Sequence, residues 1–119
     1  MFRSEKDFIL RAIEELARFL AAALRRALQL EEAGQHEQAL QELGEAYREL
    51  FGLDGRFLHL MSAEQVAQAL GHPERLRLLA QLLDAEAGIR DASGDPARAQ
   101  ILRTKATEVR ARADGYTLH

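Results

Sequence analysis

Apolar residues recur along this chain at intervals of three and four, the repeat of a helix, and no stretch alternates in the way a half-buried strand requires. The clearest stripe is Ile9, Ile13, Leu16, Leu20, Ala23, Ala27 and Leu30, which predicts a first helix from about Ser4 to Ala33. At 100° per residue the apolar arc runs past this stripe on both sides. Phe8, Ala12 and Phe19 lie on one flank; Leu10, Ala17, Ala21, Leu24 and Leu28 lie on the other. Only Arg11, Glu14, Arg18, Arg25 and Gln29 form a consistently polar face, with Glu15 and Arg26 at its edge. A helix resting on one neighbour needs an apolar stripe of roughly 100°, and this arc is about twice as wide, so it calls for cover on two sides. At ~1.5 Å per residue the helix reaches about 45 Å, whereas the second helix, near 16 residues, covers about 24 Å. The N-terminal half needs some other cover, and the rest of the chain is expected to be organised around this helix.

Turn and cap residues divide the remainder of the chain. Ser4 with Asp7 resembles a capping box, and Gly34 supplies the backbone freedom to end the first helix. The chain returns as a second helix near His36 to Phe51, with Ala39, Leu40, Leu43, Ala46, Tyr47 and Leu50 inward and Gly52 and Leu53 at its end. Leu53 to Met61 reads as a compact connector in which Asp54 caps one short turn. Phe57, Leu58 and Leu60 are too apolar for an exposed loop, so the connector should tuck against the core. Ser62 with Gln65 is a second capping box, opening a short helix that Gly71 closes. His72 and Pro73 start a further helix that runs to about Ser93, with Leu76, Leu79, Leu83 and Ala87 inward. Gly94, Asp95 and Pro96 stop, cap and restart the chain. The last helix carries Ala99, Leu102, Ala106, Val109 and Ala113 and should end at Asp114 and Gly115, leaving Tyr116 to His119 as a tail. The expectation is one all-α domain of about five helices: a hairpin over 4–51, an insertion over 52–72, a hairpin over 73–113 and a tail over 114–119.

With 119 residues the chain can bury a core without disulfides or metals. Its absence of cysteine excludes a disulfide framework, a thiolate metal site and a cysteine nucleophile. No apolar run approaches ~18 residues, and the charged opening from Met1 to Asp7 lacks a signal peptide's core. A cytoplasmic location without membrane contact is therefore the simplest expectation. The net charge of −3 gives no global field that would recruit nucleic acid. Charge is segregated, however: Glu31 to Glu49 carries six glutamates against Arg48, and Arg98 to Arg112 carries five basic residues against Glu108.

Gly34 to Ala39 aligns with Gly94 to Ala99 at an offset of 60 residues. Ala27, Gly34, Ala39 and Ala46 in the first copy match Ala87, Gly94, Ala99 and Ala106 in the second. This spacing resembles the tetratricopeptide repeat, in which small residues let paired helices cross closely. The likeness covers roughly residues 20 to 50 and 80 to 113, and extends to small bacterial proteins of tetratricopeptide-like type. Departures are plain: Arg103 stands where Leu43 stands in the first copy, and the consensus Trp, Tyr and terminal Pro are missing. The resemblance implies binding of peptides on the face made by the first helix of each hairpin. Leu24 and Leu28, with Asp84 and Gly88, occupy that face instead of the Lys and Asn of a carboxylate clamp, so an apolar partner or amphipathic helix is favoured.

Catalytic and metal chemistry find little support. His36, His59, His72 and His119 have no ligand at Glu-x-x-His or His-x-x-x-His spacing, and no phosphate loop or nucleophile elbow is present. Glu14, Glu15, Glu31, Glu32, Asp84 and Glu86 read as solvated helix faces. No catalytic residue, metal site or cofactor is expected. The basic residues Arg98, Arg103, Lys105, Arg110 and Arg112 do not share one narrow face and carry no interleaved aromatics, which leaves nucleic-acid or acidic-partner binding as the secondary reading. Contact with the acidic second helix is another use for them. The primary reading is a non-catalytic protein-interaction module, homodimeric through the excess arc of the first helix. Its expected interface residues are Phe2, Phe8, Leu10, Ala17, Ala21, Leu24 and Leu28. The competing expectation is that the 52–72 insertion and the fourth helix cover that arc within one chain.

Overall fold

The computed structural model of the chain describes residues 5–52 and 54–117, with side chains as far as 115. Phe2, the Ser4 cap and Leu53 lie outside the described residues. Six helices follow in order: α1 (Glu5–Glu32), α2 (His36–Phe51), α3 (Gly55–Leu60), α4 (Ala63–Leu70), α5 (Pro73–Ala92) and α6 (Pro96–Thr117). No strand is present among the described residues, and no described helix is long and apolar enough to cross a membrane.

Two differences from the sequence pattern have local causes. The connector turn is itself a helix, because the Asp54 carboxylate accepts the Arg56 N–H at 2.9 Å and satisfies the first turn of α3. That makes six helices instead of five. The last helix runs through Gly115 to Thr117; the glycines with positive φ are Gly34, Gly52, Gly71 and Gly94, so Gly115 stays helical and stops nothing.

The two tight turns repeat bond for bond. After α1, the Gln35 N–H donates to the Leu30 carbonyl at 2.8 Å and the Gly34 N–H to that of Glu31 at 2.9 Å. After α5, Asp95 donates to Arg90 at 2.8 Å and Gly94 to Asp91 at 3.1 Å. These wrapped bonds cap helix-end carbonyls, and they close only because Gly34 and Gly94 take φ of 78° and 91°.

In each hairpin the first helix packs along its successor, α1 on α2 and α5 on α6, and α1 and α2 both also lean on α5. The alanines at 27, 39 and 46 and at 87, 99 and 106 are all buried where the paired helices meet. Nine residues of α5 are fully buried, against Leu20, Ala23 and Ala27 of α1. The core is therefore organised around α5, whose neighbours enclose it, while half of α1 projects beyond them along a molecule 51 Å long. The 52–72 insertion does not return to cover α1: α4 packs on α6 and α5. Within α3 only Leu58 tucks into the core; Phe57 and Leu60 stay exposed, Leu60 at 83%. Two cations fasten the joints. Arg75 donates to the Leu70 carbonyl at 3.3 Å and the Leu50 carbonyl at 3.4 Å, serving the ends of α4 and α2 together, and Lys105 donates to the Met61 carbonyl between α3 and α4.

Candidate functional site

From Glu5 to Phe19 no residue of α1 is buried. The helix continues because its residues are good helix formers, but full burial begins only at Leu20, where α2 and α5 reach it, with Leu16 and Ala17 half-buried just before. Phe8 is 70% exposed and Leu28 54%, and Ile9, Leu10, Phe19 and Ala21 are exposed as well. Ala17 and Leu24 are half-buried, packed against the edge of the core. Leu10, Ala17, Ala21, Leu24 and Leu28 thus lie along one flank of α1, most of it open. At the corresponding place on the second hairpin Asp84 pairs with Arg110, and Gly88 is exposed.

The basic residues of α6 do not gather into one patch. Arg103 pairs with Asp91 and Arg110 with Asp84, both partners on α5 and neither on the acidic α2, while Lys105 is held by the Met61 carbonyl. Arg112 is exposed, and Arg98 faces a separate cleft beside α2 and α3.

A polar cluster that the sequence pattern does not reveal lies under that cleft. Glu86, expected on a solvated face, is only 5% exposed. Tyr47 Oη donates to Glu86 Oε1 at 2.9 Å, Arg90 approaches Oε2 at 3.2 Å, and His59 Nε2 stands 3.6 Å from Oε1. The rings of Tyr47 and His59 meet edge to face with centroids 6.2 Å apart. Burial pushes the Glu86 carboxyl up, but His59, the Tyr47 hydroxyl and Arg90 outweigh it and hold the acid below its ordinary range. Burial first, then the Glu86 charge and hydrogen bond, push the Tyr47 hydroxyl well above a normal phenol. The cluster therefore holds a carboxylate charged and a phenol neutral. One signal was available in the sequence: Glu86 falls three residues after Leu83 and seven after Leu79, inside the apolar face of its helix.

Among the described residues no three His, Asp or Glu side chains group as a metal ion would need. Searches against protein-family models, curated proteins and solved structures found no match to this chain.

Proposed function

We propose that the chain is a non-catalytic, tetratricopeptide-like interaction module that pairs with a second copy of itself along α1. The observation that carries this reading is the flank of α1, an apolar face of a well-formed helix that is mostly left open by the described residues of its own chain. The repeated hydrogen-bonded turns and the six buried alanines support the tetratricopeptide-like part of the reading.

The flank's own order of sizes favours a second copy. Leu10, Glu14, Ala17, Ala21, Leu24 and Leu28 are spaced four, three, four, three, four, the repeat of a helix-pairing seam. Its large residues stand at the ends and its small ones at the middle. A two-fold contact requires that residue i meet j and j meet i. An antiparallel pairing centred near Phe19 meets that condition, setting Leu10 against Leu28 of the partner subunit and Ala17 against Ala21 of the partner subunit. Glu14 then lays its stem over the seam and reaches towards Arg25 of the partner subunit.

Light scattering across a concentration series tests the reading. A dimer is expected for the native chain and, for Leu28→Glu, a monomer that still unfolds in one cooperative thermal transition, since Leu28 is exposed and supports nothing in its own core. Glu14→Arg should weaken the dimer, and Arg25→Glu added to it should restore association. A native chain that stays monomeric at every concentration would refute self-association and direct the search to an amphipathic helix from another protein.

A further inference from the structure

Between α2, α3, α5 and α6 lies a cleft of about 130 Å³, lined among others by Gly44, Tyr47, Arg56, His59, Arg90 and Arg98. This is the volume of about four water molecules at ~30 Å³ each, room for a small charged group. Three guanidiniums border it and two carboxylates, Asp54 and Glu86. Arg56 is paired with Asp54 and Arg90 with Glu86. Glu86 is also engaged by Tyr47 and His59, so its oxygens are already spoken for. Arg98, half-buried as a residue, is left over: its backbone N–H donates to Asp95 at 3.2 Å, and its guanidinium has no carboxylate within ion-pair distance among the described residues.

The walls are shaped by two glycines. Gly55 brings α3 so near the floor that an added Cβ would stand 3.0 Å from the Tyr47 ring. Gly44 sits in the interior of α2, where glycine is a poor helix former, and nothing lies within 4 Å of where its Cβ would stand. At that position a side chain would occupy the cleft, so glycine keeps it open.

We propose that this cleft binds a small oxyanion, a carboxylate or phosphate group, taken by the fork of Arg98, the one arginine of the rim not already paired with a lining carboxylate. A planar guanidinium without a partner matches both oxyanions in bidentate geometry. The net charge of the whole chain is negative, so the attraction is local to this rim. The site is separate from the α1 flank and does not depend on self-association.

The test is a nuclear magnetic resonance titration of the full chain with inorganic phosphate and, separately, with succinate, at ionic strength held constant with chloride. Saturable shifts of the Gly44 and Gly55 amides are expected, weakened about tenfold or more in Arg98→Gln, the loss of one charge-assisted contact. Thermal melts in chloride establish that the variant remains folded; if it does not, Gly44→Leu, which fills the cleft while favouring the helix, should abolish the shifts. Saturation with both anions supports a carboxylate-sized ligand, and saturation with phosphate alone supports a phosphorylated one. Shifts that follow salt without saturating, or that Arg98→Gln leaves unchanged, overturn the proposal.

Discussion

Replacing Tyr47 with Phe removes one oxygen from the buried cluster and leaves every ring contact in place. The lost bond is a 2.9 Å hydrogen bond to a buried carboxylate, and bonds to charged groups contribute roughly 1.5–3 kcal/mol. For a chain of this length the unfolding entropy near the midpoint is about 0.25 kcal/mol per degree, so the melting temperature should fall by about 6–12 °C at neutral pH. The loss should then shrink on acidification. Glu86 has a folded-state pKa below its unfolded one, so its contribution is full above the unfolded value and disappears as pH falls through the folded value. Once the carboxyl is neutral, the Tyr47 bond becomes an ordinary one worth about 1 kcal/mol. Calorimetric melts of both proteins from neutral to acid pH make the comparison. A decrease under about 2 °C at neutral pH, or a decrease that is the same at every pH, would refute the placement of a charged Glu86 under Tyr47.

The same pair predicts an alkaline limit. Tyr47 has its pKa raised in the folded state, so its contribution is complete below about pH 10 and is lost as pH climbs further, whereas Tyr47→Phe should lack that decline in alkaline melts. Leu58→Ala should cost about 2–5 kcal/mol in denaturant titrations, because Leu58 is the fully buried side chain of α3, while Leu60→Ser, two residues on and exposed, should stay within about 0.5 kcal/mol. Gly44→Ala should raise stability by up to about 1 kcal/mol because space is open and the backbone helical, whereas Gly94→Ala should lower it by about 1–2 kcal/mol, since its φ of 91° is hostile to a Cβ.

Features set by neighbours in sequence were legible from the sequence. Ser62 and Gln65 form both bonds of a capping box, at 3.1 and 2.9 Å, and Gly52 and Gly71 end their helices in the left-handed conformation. His72 caps α5 through Nδ1 and Asp95 caps α6, because each such bond spans two or three residues. Periodicity also located the inward faces of α2, α5 and α6, down to the buried alanines. What it does not contain is which element lies opposite a face. The breadth of the α1 arc therefore read as the centre of the fold, although α5 holds that place with neighbours on most sides. Glu86 shows the same limit: its angular position among leucines and its i to i+4 spacing to Arg90 were readable, but Tyr47 and His59 come from positions up to 39 residues away and only the tertiary fold brings them to it. Gly115 failed as a stop signal because glycine permits a turn without compelling one.

If the chain pairs along α1 as proposed, the projecting front half of that helix would tie helicity to concentration. Isolated helices shorter than ~12–15 residues are marginal in water, and the stretch from Glu5 to Phe19 has only its continuation into the anchored half to hold it. In a lone chain its amides should exchange with solvent within the time of local fraying, while those beyond Leu20 wait for wider unfolding. Pairing along the flank would slow the front half to the rate of the rest. Diluting the protein would then reduce the far-ultraviolet helical signal by several turns' worth before any core residue is exposed, and association would be read in secondary structure as well as in mass.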